Sequence, residues 1–327
     1  MNLEEFHIQK TIVFDSIKTI QLHRKEVPFE KVNGDLIDIY RKKFANLKYG
    51  SVAYEGGYGI LTKARRTDCS GNSVNIMIKE PKTDVSLSSE ALLQHLARKT
   101  LEKYSLESAI PKVYDIFQKD DVISFTMEFI EGCFPYEFIE KSLSPDIVFL
   151  QIISQVAILC YLLQKDIFLD HRDLKANNLY IRKKHIKYEI NLGRQTFSLN
   201  CPFQVVFLDF GFACLGNENG ISKINLAQKA MPDLDPCPKG GRDLFHLLTS
   251  LWSIPSLRKK MTETLQKEVD SWLLYDGSDY TKLIQKYKRS DWAYVFTGLP
   301  EFTYPSLDSK FILQKIHSKF PDVLKSL

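Results

Sequence analysis

The chain has 327 residues, of which 44% are hydrophobic and 26% charged, and it carries a formal net charge of +4. This is enough chain for one two-part domain or two small ones, in the composition range of water-soluble globular proteins. The modest charge gives no strong nucleic-acid or membrane signal, and basic clusters such as Arg182-Lys183-Lys184 and Arg258-Lys259-Lys260 read as solvated faces. The richest apolar run, Ile147 to Leu163, is interrupted by Gln151, Ser154 and Gln155 and reads as a buried helix rather than a membrane span. Met1 to Glu5 is acidic, so no secretory signal is expected, and no lipidation motif is visible. The expected location is therefore intracellular, with cytoplasm, nucleus and a viral compartment left open. Six cysteines (Cys69, Cys133, Cys160, Cys201, Cys214, Cys237) form no C-x-x-C pair and are expected to be reduced, packed thiols.

In chain order, alternation at Thr11 to Phe14 predicts a short strand, and Asp35 to Phe44 an amphipathic helix, in an extension over residues 1–46. Strands follow at about 48–55, 58–66 and 73–79, the last ending in Ile76-Met77-Ile78-Lys79. A helix from about Leu87 to Tyr104 carries an inward stripe of Leu93, Ala97, Leu101 and Tyr104. Glu90 projects onto that stripe, whereas Glu102 groups with Gln94, His95 and Arg98 on the polar face. Two more strands are predicted at Ile110 to Tyr114 and Val122 to Glu128, then a long helix at about 146–166. Alternating Ile186, Tyr188 and Ile190, then Asn191-Leu192-Gly193, then Phe197 and Leu199, predict a β-hairpin within Arg182 to Phe203. Val205-Val206-Phe207-Leu208 reads as a buried strand leading to Asp209. Helical segments are predicted after Asp243, near 259–274 and 309–320.

Two strings carry the chemistry. His171-Arg172-Asp173-Leu174-Lys175-Ala176-Asn177-Asn178 matches H-R-D-L-x-x-x-N, and Asp209-Phe210-Gly211 matches D-F-G. By these motifs the chain resembles the protein-kinase superfamily over most of residues 47–253. The resemblance implies an α+β, two-lobed protein-kinase-like fold. A small antiparallel β-sheet lobe at 47–130 would precede a reduced, mostly helical large lobe at 131–327, with residues 1–46 bracing the first. The hairpin would be an insertion before the D-F-G strand.

The resemblance further implies ATP- and magnesium-dependent phosphoryl transfer to serine or threonine hydroxyls of a protein substrate. Such catalysis is largely alignment and charge neutralisation. In that reading Asp173 accepts the hydroxyl proton, and Lys175, typical of serine/threonine kinases, steadies the moving phosphoryl group. Asn178 and Asp209 hold magnesium, while His171 is structural and packs beneath the D-F-G turn. Lys79 contacts the nucleotide phosphates and pairs with a helix glutamate; Glu90 is the chosen partner, with Glu102 the alternative. Gly56, Gly57 and Gly59 cover the phosphates. Met127 is the gatekeeper residue beside the nucleotide, and the backbone of Glu128 and Ile130 meets the adenine edge. Asp243 ties down the catalytic-loop backbone.

The pattern also departs from the family. Tyr54 stands at the first glycine of the phosphate loop, and Gln94 where an apolar residue is usual. Met77 and Tyr180 are bulky for an adenine pocket. Asp173 and Asp209 are 36 positions apart, roughly twice the usual gap. A comparable insertion occurs in the haspin kinases, and the kinase-like proteins of large DNA viruses look similar here. The A-P-E string is missing, with Met231-Pro232-Asp233 its nearest relic. Two alternatives stand beside a protein kinase: a small-molecule kinase on a related fold, against which Arg172 and Lys175 argue, and a catalytically dead binding module. Ser222 is the one hydroxyl-bearing residue between Phe212 and Met231, so activity is predicted without phosphorylation of this segment. Phosphatase-treated protein should keep its rate; loss of activity on that treatment and in Ser222→Ala would contradict it.

Overall fold

The structure, a computed structural model, describes residues 35–37, 44–56, 59–68, 70–82, 87–119, 122–192, 195–221, 224–226, 236–275, 278–287 and 307–326. It is a mixed α+β chain that divides into two units, Met1–Ile130 and Glu131–Leu327.

The first unit is built on a six-stranded antiparallel sheet. Its strands are β1 (Asp35–Ile37), β2 (Phe44–Glu55), β3 (Gly59–Thr67), β4 (Ser73–Pro81), β5 (Val113–Lys119) and β6 (Val122–Glu128), in the order β1-β2-β3-β4-β6-β5. Ile76 and Ile78 of β4, Ala64 of β3 and Phe117 of β5 form an apolar cluster, the expected result of alternating side chains on a half-buried sheet. Helix α1 (Ser88–Glu102) packs on the sheet with Ala91, Leu92, Leu93, Leu96, Ala97 and Leu101 buried.

Three sequence expectations are corrected here. Asp35–Ile37 is strand, not helix: it pairs with Phe44–Asn46 in the register Asp35↔Asn46 to Ile37↔Phe44, so its backbone groups find cross-strand partners. The strand expected at Ile110 begins only at Val113, because Glu107–Ala109 winds into a 3₁₀ turn that takes the Ile110 N–H. Gln94 and His95 are buried rather than on a polar outer face. The strand expected at Thr11 to Phe14 lies outside the described residues.

His95 has a measurable consequence. Burial, with Lys99 and Arg98 nearby, pushes its pKa from 6.5 down to about 4. The unfolded chain then binds the proton more readily than the folded one between these values. Stability is therefore complete above pH 6.5 and is lost as pH falls toward 4. We predict that acidification from pH 7 to 5 costs the first unit about 2 kcal/mol from this residue. Denaturant unfolding of wild type and His95→Phe at both pH values checks it; equal slopes would refute it.

The second unit begins with α2 (Pro135–Glu140) and α3 (Pro145–Ile167), each with proline at its first position, where a missing N–H costs nothing. By length and composition α3 is long and apolar enough to cross a membrane, contrary to the sequence expectation, yet 72% of its apolar window is buried within the protein. Of its polar interruptions Gln155 has internal partners, while the buried Ser154 hydroxyl has none among the described residues. Gln155 accepts from Val205 N at 2.8 Å and donates to the Phe203 carbonyl at 3.2 Å, satisfying the backbone at the next strand's entry.

Left-handed Phe168 (φ 53°) ends α3 and turns the chain into β7 (Leu169–Asp170). After a 3₁₀ turn at Ala176–Asn178 come β8 (Leu179–Arg182), β9 (Ile186–Leu192), β10 (Gln195–Cys201) and β11 (Gln204–Phe207). β9 and β10 form the antiparallel hairpin, with Ile186, Tyr188, Ile190 and Leu192 buried and Lys187, Glu189 and Asn191 exposed. β12 (Cys214–Leu215) lies between β7 and β13 (Ile224–Asn225).

Helix α4 (Arg242–Trp252) follows left-handed Gly241 and is buried almost throughout. The single helix expected near 259–274 is two, α5 (Pro255–Lys260) and α6 (Glu263–Trp272). Thr262 separates them by capping the second, accepting from Leu265 N at 3.3 Å. The hairpin β14 (Leu274–Tyr275) and β15 (Ser278–Asp279) leads to α7 (Tyr280–Tyr287). The last elements are α8 (Ser309–Lys319) and β16 (Lys325–Ser326), which pairs with β10.

The expectation of reduced thiols is overturned at two positions. Cys214 and Cys237 form a disulfide across 23 residues of sequence, with Cα atoms 6.3 Å apart. β12 and the segment before α4 are brought together only by tertiary pairing, so no local spacing announces the bond. Cys133, Cys160 and Cys201 are free, and Cys69 lies outside the described residues.

Candidate active site

The loop after β7 is shaped by α4. Asp243 accepts the backbone N–H groups of His171 and Arg172, each at 2.8 Å. This pair of bonds holds Arg172 in the left-handed region (φ 65°), a conformation an L-arginine adopts only when its surroundings impose it. Burial and the neighbouring Asp170 carboxylate push the Asp243 pKa up to about 6, while His171 and Arg242 oppose the rise. One residue earlier, Asp170 forms a fully buried ion pair with Arg242 at 2.6 Å. It also accepts from Lys239 N and Gln164 Nε2, both at 2.7 Å. Consecutive loop residues are thus held by consecutive helix residues.

Within the loop, Asp173 is nearly buried, and its Oδ2 accepts from Lys175 Nζ and from Asn178 Nδ2, both at 2.9 Å. Asn178 Nδ2 also donates to the Asp173 carbonyl at 2.8 Å. Both amide hydrogens face Asp173, so the Asn178 oxygen is what this side chain can offer a cation.

β8 and β11 then set the next residue. Their antiparallel register places Leu179 opposite Phe207, and Leu208 N donates to the Asn178 carbonyl at 2.8 Å. Asp209 follows directly. It is exposed, left-handed (φ 60°), and accepts from Gly211 N at 3.2 Å. His171 lies beneath this turn: its Nε2 bonds the Leu208 carbonyl at 2.8 Å, and its ring centroid is 4.9 Å from that of Phe210. Asp173, Lys175, Asn178 and Asp209 are therefore linked through one side-chain and backbone network in the second unit. Among the described residues, no group of three or more His, Cys, Asp or Glu side chains could hold a metal. A carboxylate and an amide oxygen suit magnesium nonetheless, since that ion commonly takes only one or two protein carboxylates and fills its shell with phosphate and water.

In the first unit, Lys79 is buried and its Nζ donates to Glu90 Oε1 at 2.6 Å, whereas Glu102 pairs with Lys99 on the exposed side of α1. Gly59, opposite Pro81, lies against this lysine: a Cβ there would meet the Glu80 carbonyl at 3.0 Å and Lys79 Cε at 3.6 Å. Gly56 N donates to the Gly59 carbonyl at 2.9 Å, closing the turn. Gly57 lies outside the described residues, as do Ser222 and Met231-Pro232-Asp233. Met127 is buried opposite Met77, and Glu128 sits opposite Ile76. Glu128 N donates to the Lys112 carbonyl at 2.8 Å, and Ile130 is the last residue of this unit.

At the start of the second unit, Tyr180 packs edge-on against Phe134, which stacks on Tyr136. Burial, then nearby Glu137, raises the Tyr180 pKa above its ordinary value. Gly132 is required here by close approach, since a Cβ would fall 2.3 Å from the Ile181 carbonyl.

Two supports of the site escaped the sequence reading: the Asp170–Arg242 ion pair and the inward contacts of Gln94 and Arg98 on α1. The adjacency of Asp170 to His171 and of Arg242 to Asp243 was the available signal for the first. For the second the signal was the four-residue spacing of Gln94 and Arg98 from inward Glu90, although their partners are backbone carbonyls. Compared with known proteins, the chain matches no protein-family model and no curated protein.

Proposed function

We propose that this chain is an ATP- and magnesium-dependent kinase of two-lobed, protein-kinase-like fold that phosphorylates serine or threonine hydroxyls of a protein substrate inside the cell. The observation that carries the reading is the hydrogen-bonded group Asp173–Lys175–Asn178, joined through Leu208 to exposed Asp209, on residues that match both kinase motifs. In this reading Asp173 orients the attacking hydroxyl and accepts its proton. Lys175, whose Nζ lies 2.9 Å from Asp173 Oδ2, would steady the transferred phosphoryl group. Asp209 and the Asn178 oxygen would hold magnesium, which when bound neutralises phosphate charge. Lys79, fixed by Glu90, would bind the nucleotide phosphates beside the Gly56–Gly59 turn. The backbone of Glu128 and Ile130, next to Met127, would meet the base.

The test is incubation of purified protein with labelled ATP, magnesium and a general protein substrate, with Asp209→Asn run in parallel. Label on serine or threonine in the wild type alone supports the proposal. Label only on a small metabolite would replace it with a small-molecule kinase. Absence of both would leave a binding module without transfer activity.

A further inference from the structure

Helix α1 carries three polar side chains at intervals of four residues, Glu90, Gln94 and Arg98, and each ends on the sheet side of the first unit. Four residues advance an α-helix by about 6 Å and only a little over one turn, so the three form a single inward stripe. Glu90 accepts from Lys79. Gln94, 1% exposed, donates through Nε2 to the Pro111 carbonyl at 2.9 Å and lies 3.8 Å from the Met127 sulfur. Arg98 donates through Nη1 to the carbonyls of Glu107 at 2.9 Å and Ile110 at 2.6 Å, with Glu128 Oε2 at 3.7 Å.

The middle contact differs in kind from the apolar contacts around it. An apolar contact resists separation of helix and sheet but is nearly indifferent to small rotations about the helix axis. A buried amide bonded to a fixed carbonyl is not, because rotation breaks its geometry and leaves both groups unsatisfied. Pro111 lies two residues before β5, Glu128 N of β6 donates to the carbonyl of the next residue, Lys112, and β6 pairs with β4, so the carbonyl Gln94 holds is tied through β5 and β6 to the strand that carries Lys79.

We infer that Gln94 is a positioning residue: it fixes the rotation of α1, and through Glu90 the direction of the Lys79 ammonium, with Arg98 as the outer anchor. This rests on the reading of Lys79 as the nucleotide-phosphate lysine. It assigns a purpose to the polar side chain that stands where an apolar one was expected.

The experiment uses Gln94→Met, which keeps the volume and removes the donor, and Arg98→Met, whose partly exposed site tolerates change. Folding is checked by circular dichroism, and Leu101→Ala serves as a packing control on the same helix. Acylation of Lys79 by an N-hydroxysuccinimide ester is followed by mass spectrometry, with exposed Lys99 as internal reference. Lys79 should acylate about fivefold faster in folded Gln94→Met, less so in Arg98→Met, and at the wild-type rate in Leu101→Ala. In the kinase assay kcat/KM for ATP should fall about tenfold in Gln94→Met. Unchanged Lys79 reactivity in folded Gln94→Met overturns the inference. Should Gln94→Met not fold, unchanged reactivity in Arg98→Met overturns it. Faster acylation in a protein with no transfer activity upholds the positioning role and removes the kinase reading instead.

Discussion

Asp209→Asn is expected to lower phosphoryl transfer by about a thousandfold while leaving the protein folded. The substitution is chosen on backbone grounds. Asp209 sits at φ 60°, where asparagine is tolerated and alanine is strained by about 1 kcal/mol. Asparagine can also keep the acceptor for Gly211 N. Because Asp209 is exposed, the change in stability should stay within about 0.5 kcal/mol, as for most surface substitutions. Losing a full negative charge from the proposed magnesium site would be a much larger matter, since a carboxylate is a hard anionic ligand and an amide only a dipole. Steady-state transfer to a protein substrate, with unfolding of the same sample, measures both. Wild-type turnover in a pure Asp209→Asn preparation would remove the assignment.

The largest stability effect is expected at Arg242. Its guanidinium and the Asp170 carboxylate are both fully buried and 2.6 Å apart. Arg242→Met should cost about 3–5 kcal/mol, because Asp170 would remain as a buried anion held only by Lys239 N and Gln164. The loss should also reach Asp243, whose carboxyl is already raised by burial and by Asp170 and is lowered by Arg242. The double variant Asp170→Asn/Arg242→Met removes both charges and should recover a large part of the loss. Denaturant unfolding of the three proteins decides the matter. A single variant costing under about 1 kcal/mol, or a double variant no better than the single, would show that the pair does not hold the loop.

Much of this architecture could be read from residue order. Strands β2, β3, β4 and β6 of the first sheet follow from β-branched alternation, and the β9–β10 hairpin from inward Ile186, Tyr188 and Ile190 against outward Lys187 and Glu189. The network from Asp173 to Asp209 follows from two short strings. What stayed hidden depended on partners distant in sequence or on backbone atoms, which have no letter in the chain. Gln94 looked like a surface residue because its acceptor is the carbonyl of Pro111. Asp35–Ile37 suited a helix by period but became strand once Phe44–Asn46 lay alongside. The apolar character of α3 was underestimated from Gln155, whose amide is consumed by the backbone at Phe203 and Val205. Thr262 broke one expected helix into two by accepting a single N–H.

The Cys214–Cys237 bond closes a covalent ring that begins five residues after Asp209 and ends five before Arg242. A single peptide-bond cut anywhere from Leu215 to Pro236 would therefore leave one molecule of undiminished mass apart from an added water. On a gel without reductant such nicked protein would run with the intact chain. Thiol treatment would then release two fragments, exposing damage that a routine purity check overlooks.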